Sequence, residues 1–177
     1  MSLRDLLLDK QDPILKRWFA LMAGMHPAGS TTFSRPKDEF SDPEGHTVSR
    51  EIEVLYHELL QDRMNSEKTC ASLDGILRIK AVQEFTPAQA VGFVFLLKEA
   101  ITEELVGELE SRRLLRQWLE FESRVDRLAS MAFDMYMQCR EKICQLRVNE
   151  VRADRDRALR MIDLVEGAGR RRIEAAE

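Results

Sequence analysis

The chain has 177 residues, of which 44% are hydrophobic and 33% charged, and its net charge is −4. That length fits one domain with at most an appendage, and the near-balance of charge argues against a nucleic-acid binder, which needs a basic surplus to neutralise phosphates. Only 8 Gly and 5 Pro stand against many Leu, Glu, Arg and Ala, a composition that favours helix.

From the N-terminus, the apolar stretch of MSLRDLLLDKQDP stops at Asp9. It is shorter than the roughly 7–15 residues of an export signal's apolar core, so no leader is expected. Residues 3–24 read as helix in two pieces, with Asp12 as N-cap and Pro13 in the first helical position marking the restart. Ile14, Leu15, Trp18, Leu21 and Met22 then recur at helical spacing. The stretch GMHPAGSTTFSRPKDEFSDPEG lacks clean periodicity and reads as one long loop, with DPEGH as turn chemistry. A second helix is expected from Thr47, as its cap, to about Gln61, with Ile52, Leu55, Tyr56, Leu59 and Leu60 on one stripe. A third runs from Ser66, as N-cap, to about Glu84. Its inner face is Ala71, Leu73, Ile76, Leu77, Lys80 and Ala81, one basic interruption in an apolar row. Gly75 inside it points to close helix packing.

Phe85 is followed by Thr86-Pro87-Ala88-Gln89, a strong helix start with Thr as N-cap, Pro next and Gln three residues on. The apolar run that follows is too short for a membrane span, which needs about 20 residues. No face of Val91–Leu97 is polar, so this helix is expected to be central and wrapped by others, with Gly92 admitting a neighbour close to its backbone. After a reversal near Ser111, the segment from about Glu110 to Glu166 contains no proline and no internal glycine. It reads as one helix, on the order of 80 Å long if unbroken, or as several. Its first half carries the stripe Trp118, Phe121, Val125, Leu128, Ala132, Met135, Cys139 and Ile143. Phe133 and Met137 lie on a different side, so this helix is expected to bury two faces, one in its own fold and one in a dimer. Beyond Arg147 the stripe thins and mixed charge dominates, as on a solvated helix. Cys70, Cys139 and Cys144 have no metal spacing and read as buried, reduced thiols.

The blocks LDGILRIKAVQEFTPAQAVGFVFLLKEAITEEL and MAFDMYMQCREKICQLRVNEV, with ILKRW near the start, resemble the N-terminal domain of RsbRD-type co-antagonists of the bacterial stressosome over roughly residues 5–150. The resemblance rests on ordered blocks and their spacing, with no single diagnostic motif. It implies a globin-like helical fold without haem, pairing as a dimer, at the sensor end of larger signalling proteins. Within these 177 residues no output domain is expected, which departs from that plan. Stand-alone relatives beside genes for the membrane-bound electron-transfer complex of sulfite reduction imply a link to that respiration.

Chemistry finds little support in the residues. A haem globin needs a helical histidine facing an apolar pocket. Of His26, His46 and His57, only His57 falls within an expected helix, beside Tyr56 and Leu60, where a satisfied or exposed histidine is the plainer reading. Glu103, Glu104 and Glu108 lack the Glu-x-x-His partner of a di-iron bundle. Neither a nucleophile elbow nor a phosphate loop occurs. The expectation is therefore an all-α, globin-like, non-haem bundle with a long C-terminal helix: a sensor domain over residues 1–148 and a polar helical extension over 149–177. It is expected to be cytoplasmic and non-catalytic, with no cofactor, metal, nucleic acid or membrane insertion. It would act as a homodimer and on an unidentified protein partner. Phe133, Met137, Arg140 and Cys144 form the expected dimer or partner face. Phe93, Phe95 and Trp118 form an expected apolar pocket, which serves the alternative of a small apolar-ligand or haem-binding sensor.

Overall fold

A computed structural model describes residues 2–25, 43–82, 85–109 and 111–174, with no side chain described from residue 165 on. Among the described residues there are six helices and no strand: α1 (Leu3–Asp9), α2 (Gln11–Ala23), α3 (Pro43–Leu60), α4 (Ser66–Val82), α5 (Pro87–Glu104) and α6 (Arg112–Glu174). The all-α expectation holds. The chain divides into two compact units, Met1–Cys139 and Arg140–Glu177.

In the first unit, α2 packs on α5, α3 on α4, α2 on α3 and α4 on α5. The core is a set of interlocked apolar stripes: Leu7 of α1, Ile14 and Trp18 of α2, Ile52 and Leu55 of α3, Leu73 and Ile76 of α4, Phe93 and Leu97 of α5, and Val125 and Leu128 of α6. Three buried aromatic side chains tie this core to backbone. Trp18 Nε1 donates to the Phe93 carbonyl at 2.7 Å, its ring stacking on Phe93. Tyr56 Oη donates to the Leu7 carbonyl at 2.7 Å, and burial raises its pKa well above the ordinary phenol value. Tyr136 Oη donates to the Phe85 carbonyl, tying α6 to the link before α5. Each bond satisfies a polar tip that would otherwise be buried alone.

The expected helices all form, but three starts differ. Helix α2 begins at Gln11, not at Pro13 behind an Asp12 cap, and Lys10 precedes it without a side-chain cap. Pro13 is accommodated because no N–H is needed in a helix's first turn. The Lys10 ammonium is engaged elsewhere, donating to the Glu104 carbonyl at α5's end (2.8 Å) and to Glu108 (2.7 Å). Helix α3 begins at Pro43. PEGH is thus its first turn, not a separate turn, because proline suits the first helical position. The rest of the expected loop, residues 26–42 with His26, lies outside the described residues. The cap of α4 is Asn65, whose Oδ1 accepts from Lys68 N at 3.0 Å, so Ser66 is already helical. The Glu58 carboxylate accepts from Asn65 N at 2.7 Å and holds the α3–α4 turn. At α6, Ser111 Oγ accepts from Leu114 N at 3.2 Å. Helix α1 starts at Leu3 as expected, and so does α5, with the Thr86–Gln89 capping box and Pro87 in the first turn.

Three burial expectations also change. On α4, Thr69 and Ser72 are buried while Ala71 is exposed. On α6, Ala129 and Tyr136 join the buried row, while Met135 and Cys139 are half-buried. None of the three thiols is fully buried: Cys70 and Cys139 are half-buried and Cys144 is exposed. In the second unit, α6 exposes Leu146, Val151, Leu159, Met161, Ile162 and Leu164 between local pairs such as Arg157–Asp154.

Candidate functional site

Helix α5 is not enclosed all round. Val91, Phe93, Val94 and Leu97 are buried, but Phe95 is 48% exposed. An all-apolar helix shows no polar face to mark where its neighbours stop, and here they stop at the Phe95 side. That side opens into a groove of about 990 Å³ between α5 and the first-unit part of α6. Thr86, Pro87, Ala88, Val91 and Phe95 form one wall, and Asp126, Ala129, Ser130, Phe133 and Asp134 the other. The geometry follows from helical spacing: Pro87, Val91 and Phe95 recur every four residues, as do Phe133 and Met137. Ala88, Ala129 and Ser130 are too small to fill the space between them.

Phe133 is 46% exposed and Met137 44%. Together with Phe95 they leave an apolar surface beside a closely packed core, the kind of feature that marks an interaction site. Lys98 braces the two walls, its ammonium 2.7 Å from Asp126 and 3.7 Å from Glu122. Asp134 adds a carboxylate at the rim.

Of the residues expected at a dimer face, Phe133 and Met137 thus belong to the first unit, and Phe133 lines the groove. Arg140 is half-buried and Cys144 exposed, both in the second unit. The expected pocket residues have separate surroundings. Phe93 is fully buried against Trp18, Trp118 stacks on Phe121 with centroids 6.0 Å apart, and of the three only Phe95 lines the groove. Pro87, Val91 and Ala129 were not read as site residues. Their signal in the sequence is the four-residue spacing of Pro87, Val91 and Phe95 on α5 and of Phe133 and Met137 on α6.

A buried cation sits close to this region. Lys80, 3% exposed, points its ammonium at the Phe85 ring (4.5 Å to the centroid) and the Phe93 ring (5.8 Å). Burial lowers its pKa to about 8. Gly92 admits Met25, whose Cε would lie 2.7 Å from an added Cβ. His46 lies in the first turn of α3, and His57 meets the Tyr56 ring edge-on. Glu103 pairs with Arg17 and Glu108 with Lys10. Among the described residues, no group of three or more His, Cys, Asp or Glu is placed to hold a metal ion, and no helix is long and apolar enough to cross a membrane.

The family model for the RsbT co-antagonist protein rsbRD N-terminal domain matches residues 12–151. An uncharacterized protein of Archaeoglobus fulgidus is 31% identical over 93 residues, 52% of this chain and 58% of that protein. The chain therefore spans less than two thirds of the length of the curated relative it matches. No solved structure matches. The rsbRD N-terminal domain is a stressosome-related regulatory and signalling domain, and its model takes in α5 and both walls of the groove. With most of its length matched, this chain belongs to the RsbT co-antagonist rsbRD N-terminal domain family.

Proposed function

We propose that the chain is a cytoplasmic, non-catalytic sensory module that works by contact, pairing with a second copy through the α5–α6 groove and acting on a protein partner. The observation that carries this reading is the apolar surface made by Phe95, Phe133 and Met137, each more than two-fifths exposed. Aromatic and Met side chains are enriched at the centres of protein interfaces. In an isologous pair, Phe133 of each copy would enter the groove of the other. The globin-like, haem-free description of the first unit and a link to sulfite-respiration complexes come with the family resemblance and form part of the same proposal. Residues 149–177 would then be an extension that reaches the partner. Sedimentation of the full chain and of a Phe133→Glu/Met137→Glu variant tests the pairing: a dimer is expected for the first and a monomer of unchanged helicity for the second.

A second reading is favoured by the groove's volume, which falls within the range of ligand pockets. A small apolar molecule held against Phe95 and Phe133 would stay with the purified protein and appear in native mass spectrometry, accompanied by a visible absorbance band if it were haem.

A further inference from the structure

The first turns of α6 carry a second surface of different chemistry. Arg112, Arg113 and Arg116 line a recess of about 540 Å³ together with Gln117 and Glu120. All three arginines are exposed. The first turn of α6 contains no acidic residue. Cations there face the positive end of the helix dipole, an arrangement that is unfavourable unless something anionic covers it.

Two apolar side chains accompany them. Leu115 is 47% and Leu119 55% exposed. At 3.6 residues per turn, Leu119 lies on the side of Arg112 and Arg116, and Leu115 lies on the flank between Arg112 and buried Trp118. Glu122 and Asp126 face Lys98, and against the three arginines the recess is lined by one carboxylate, that of Glu120. Within a chain of net charge −4, this face is a local reversal of sign.

We infer that this face docks an acidic, leucine-bearing segment of a partner protein. Carboxylates would meet the guanidinium forks, and apolar side chains would meet Leu115 and Leu119. The concave shape of the recess disfavours a flat anionic bilayer. The inference rests on reading the chain as an interaction module, but not on its pairing through the groove.

The test uses the full chain and a fluorescein-labelled peptide of repeated Glu-Leu-Glu, with a Gln-for-Glu peptide as control. Anisotropy should rise on adding wild-type protein, and the affinity should fall as salt is raised from about 50 mM to about 300 mM. Arg112→Gln/Arg113→Gln/Arg116→Gln should weaken binding about tenfold, given the usual worth of exposed ion pairs. Leu115→Gln/Leu119→Gln should also weaken it. Both variants should retain the wild-type melting curve and sedimentation. Phe133→Glu/Met137→Glu should bind the peptide as wild type does, which separates failure of the groove from failure of this face. Equal binding of the Gln peptide, or unchanged affinity in the arginine variant, would overturn the inference. Binding to phosphatidylglycerol vesicles at least as strong as to the Glu peptide would overturn it in favour of a membrane surface.

Discussion

Lys80 sets the residue scale. Its place on the inner face of α4 was readable as one basic position in an apolar row, but its surroundings were not. The Phe85 and Phe93 rings come from other parts of the chain, and no carboxylate among the described residues pairs with the ammonium. Cation–π contact and the C-terminal end of α4 offset part of the desolvation. The folded protein gives up this proton near pH 8, whereas the unfolded chain holds it to about 10.5. The charge therefore destabilises the fold fully below pH 8, and the penalty fades as pH rises toward 10.5. Lys80→Met should accordingly stabilise the protein by about 2 kcal/mol at pH 7, the desolvation less the lost ring contact. Urea unfolding at pH 7 and again near pH 9.5 checks this. The variant's advantage should shrink at the higher pH, and a variant less stable than wild type at pH 7 would show that the ring contacts outweigh burial. Tyr136 teaches the same lesson from the other side. It sits on the sequence next to Met135, which was placed in the core stripe, yet its bond to the Phe85 carbonyl makes Tyr136 the fully buried member.

At the scale of the element, local signals were legible and neighbours were not. The start of α5 was read correctly because Thr86, Pro87 and Gln89 satisfy one another within a single turn. Thr86→Ala should cost about 1 kcal/mol, seen as a lower urea midpoint with an unchanged slope. Helix α4 starts one residue before the expected position because Asn65 and Ser66 are both good caps, and the choice falls to the bond from Asn65 N to Glu58. Gly75 was read as a close approach, and the approach is by the Glu51 side chain, 3.3 Å from where a Cβ would be. That neighbour is a side chain and not backbone, and a shift of a few tenths of an ångström relieves the contact. Gly75→Ala should therefore keep most of the helix-propensity gain, ending between neutral and about 1 kcal/mol stabilising in thermal unfolding. The exposure of Phe95 could not be read at all. A helix apolar on every side states that it is greasy, not which side is left uncovered.

For the molecule as a whole, the all-helical plan was legible from composition, capping and 3.6-residue periodicity. The thinning stripe of α6 points to an extension from about residue 149, whereas the compact units are Met1–Cys139 and Arg140–Glu177, a boundary that no breaker residue marks. The core residues of α1–α5 and of α6 up to Tyr136 all precede the division. A chain shortened after Arg147 should therefore melt as the full chain does, within a few degrees by circular dichroism, while losing contact with its protein partner. Collapse of the fold would instead make the extension structural. The central claim, that the α5–α6 groove is where two copies meet, is tested most directly by sedimentation velocity of the wild type beside Phe133→Glu/Met137→Glu. The account predicts a wild-type dimer and a helical, folded monomer for the variant. A wild type that stays monomeric at high concentration, or a variant that still sediments as a dimer, would contradict it.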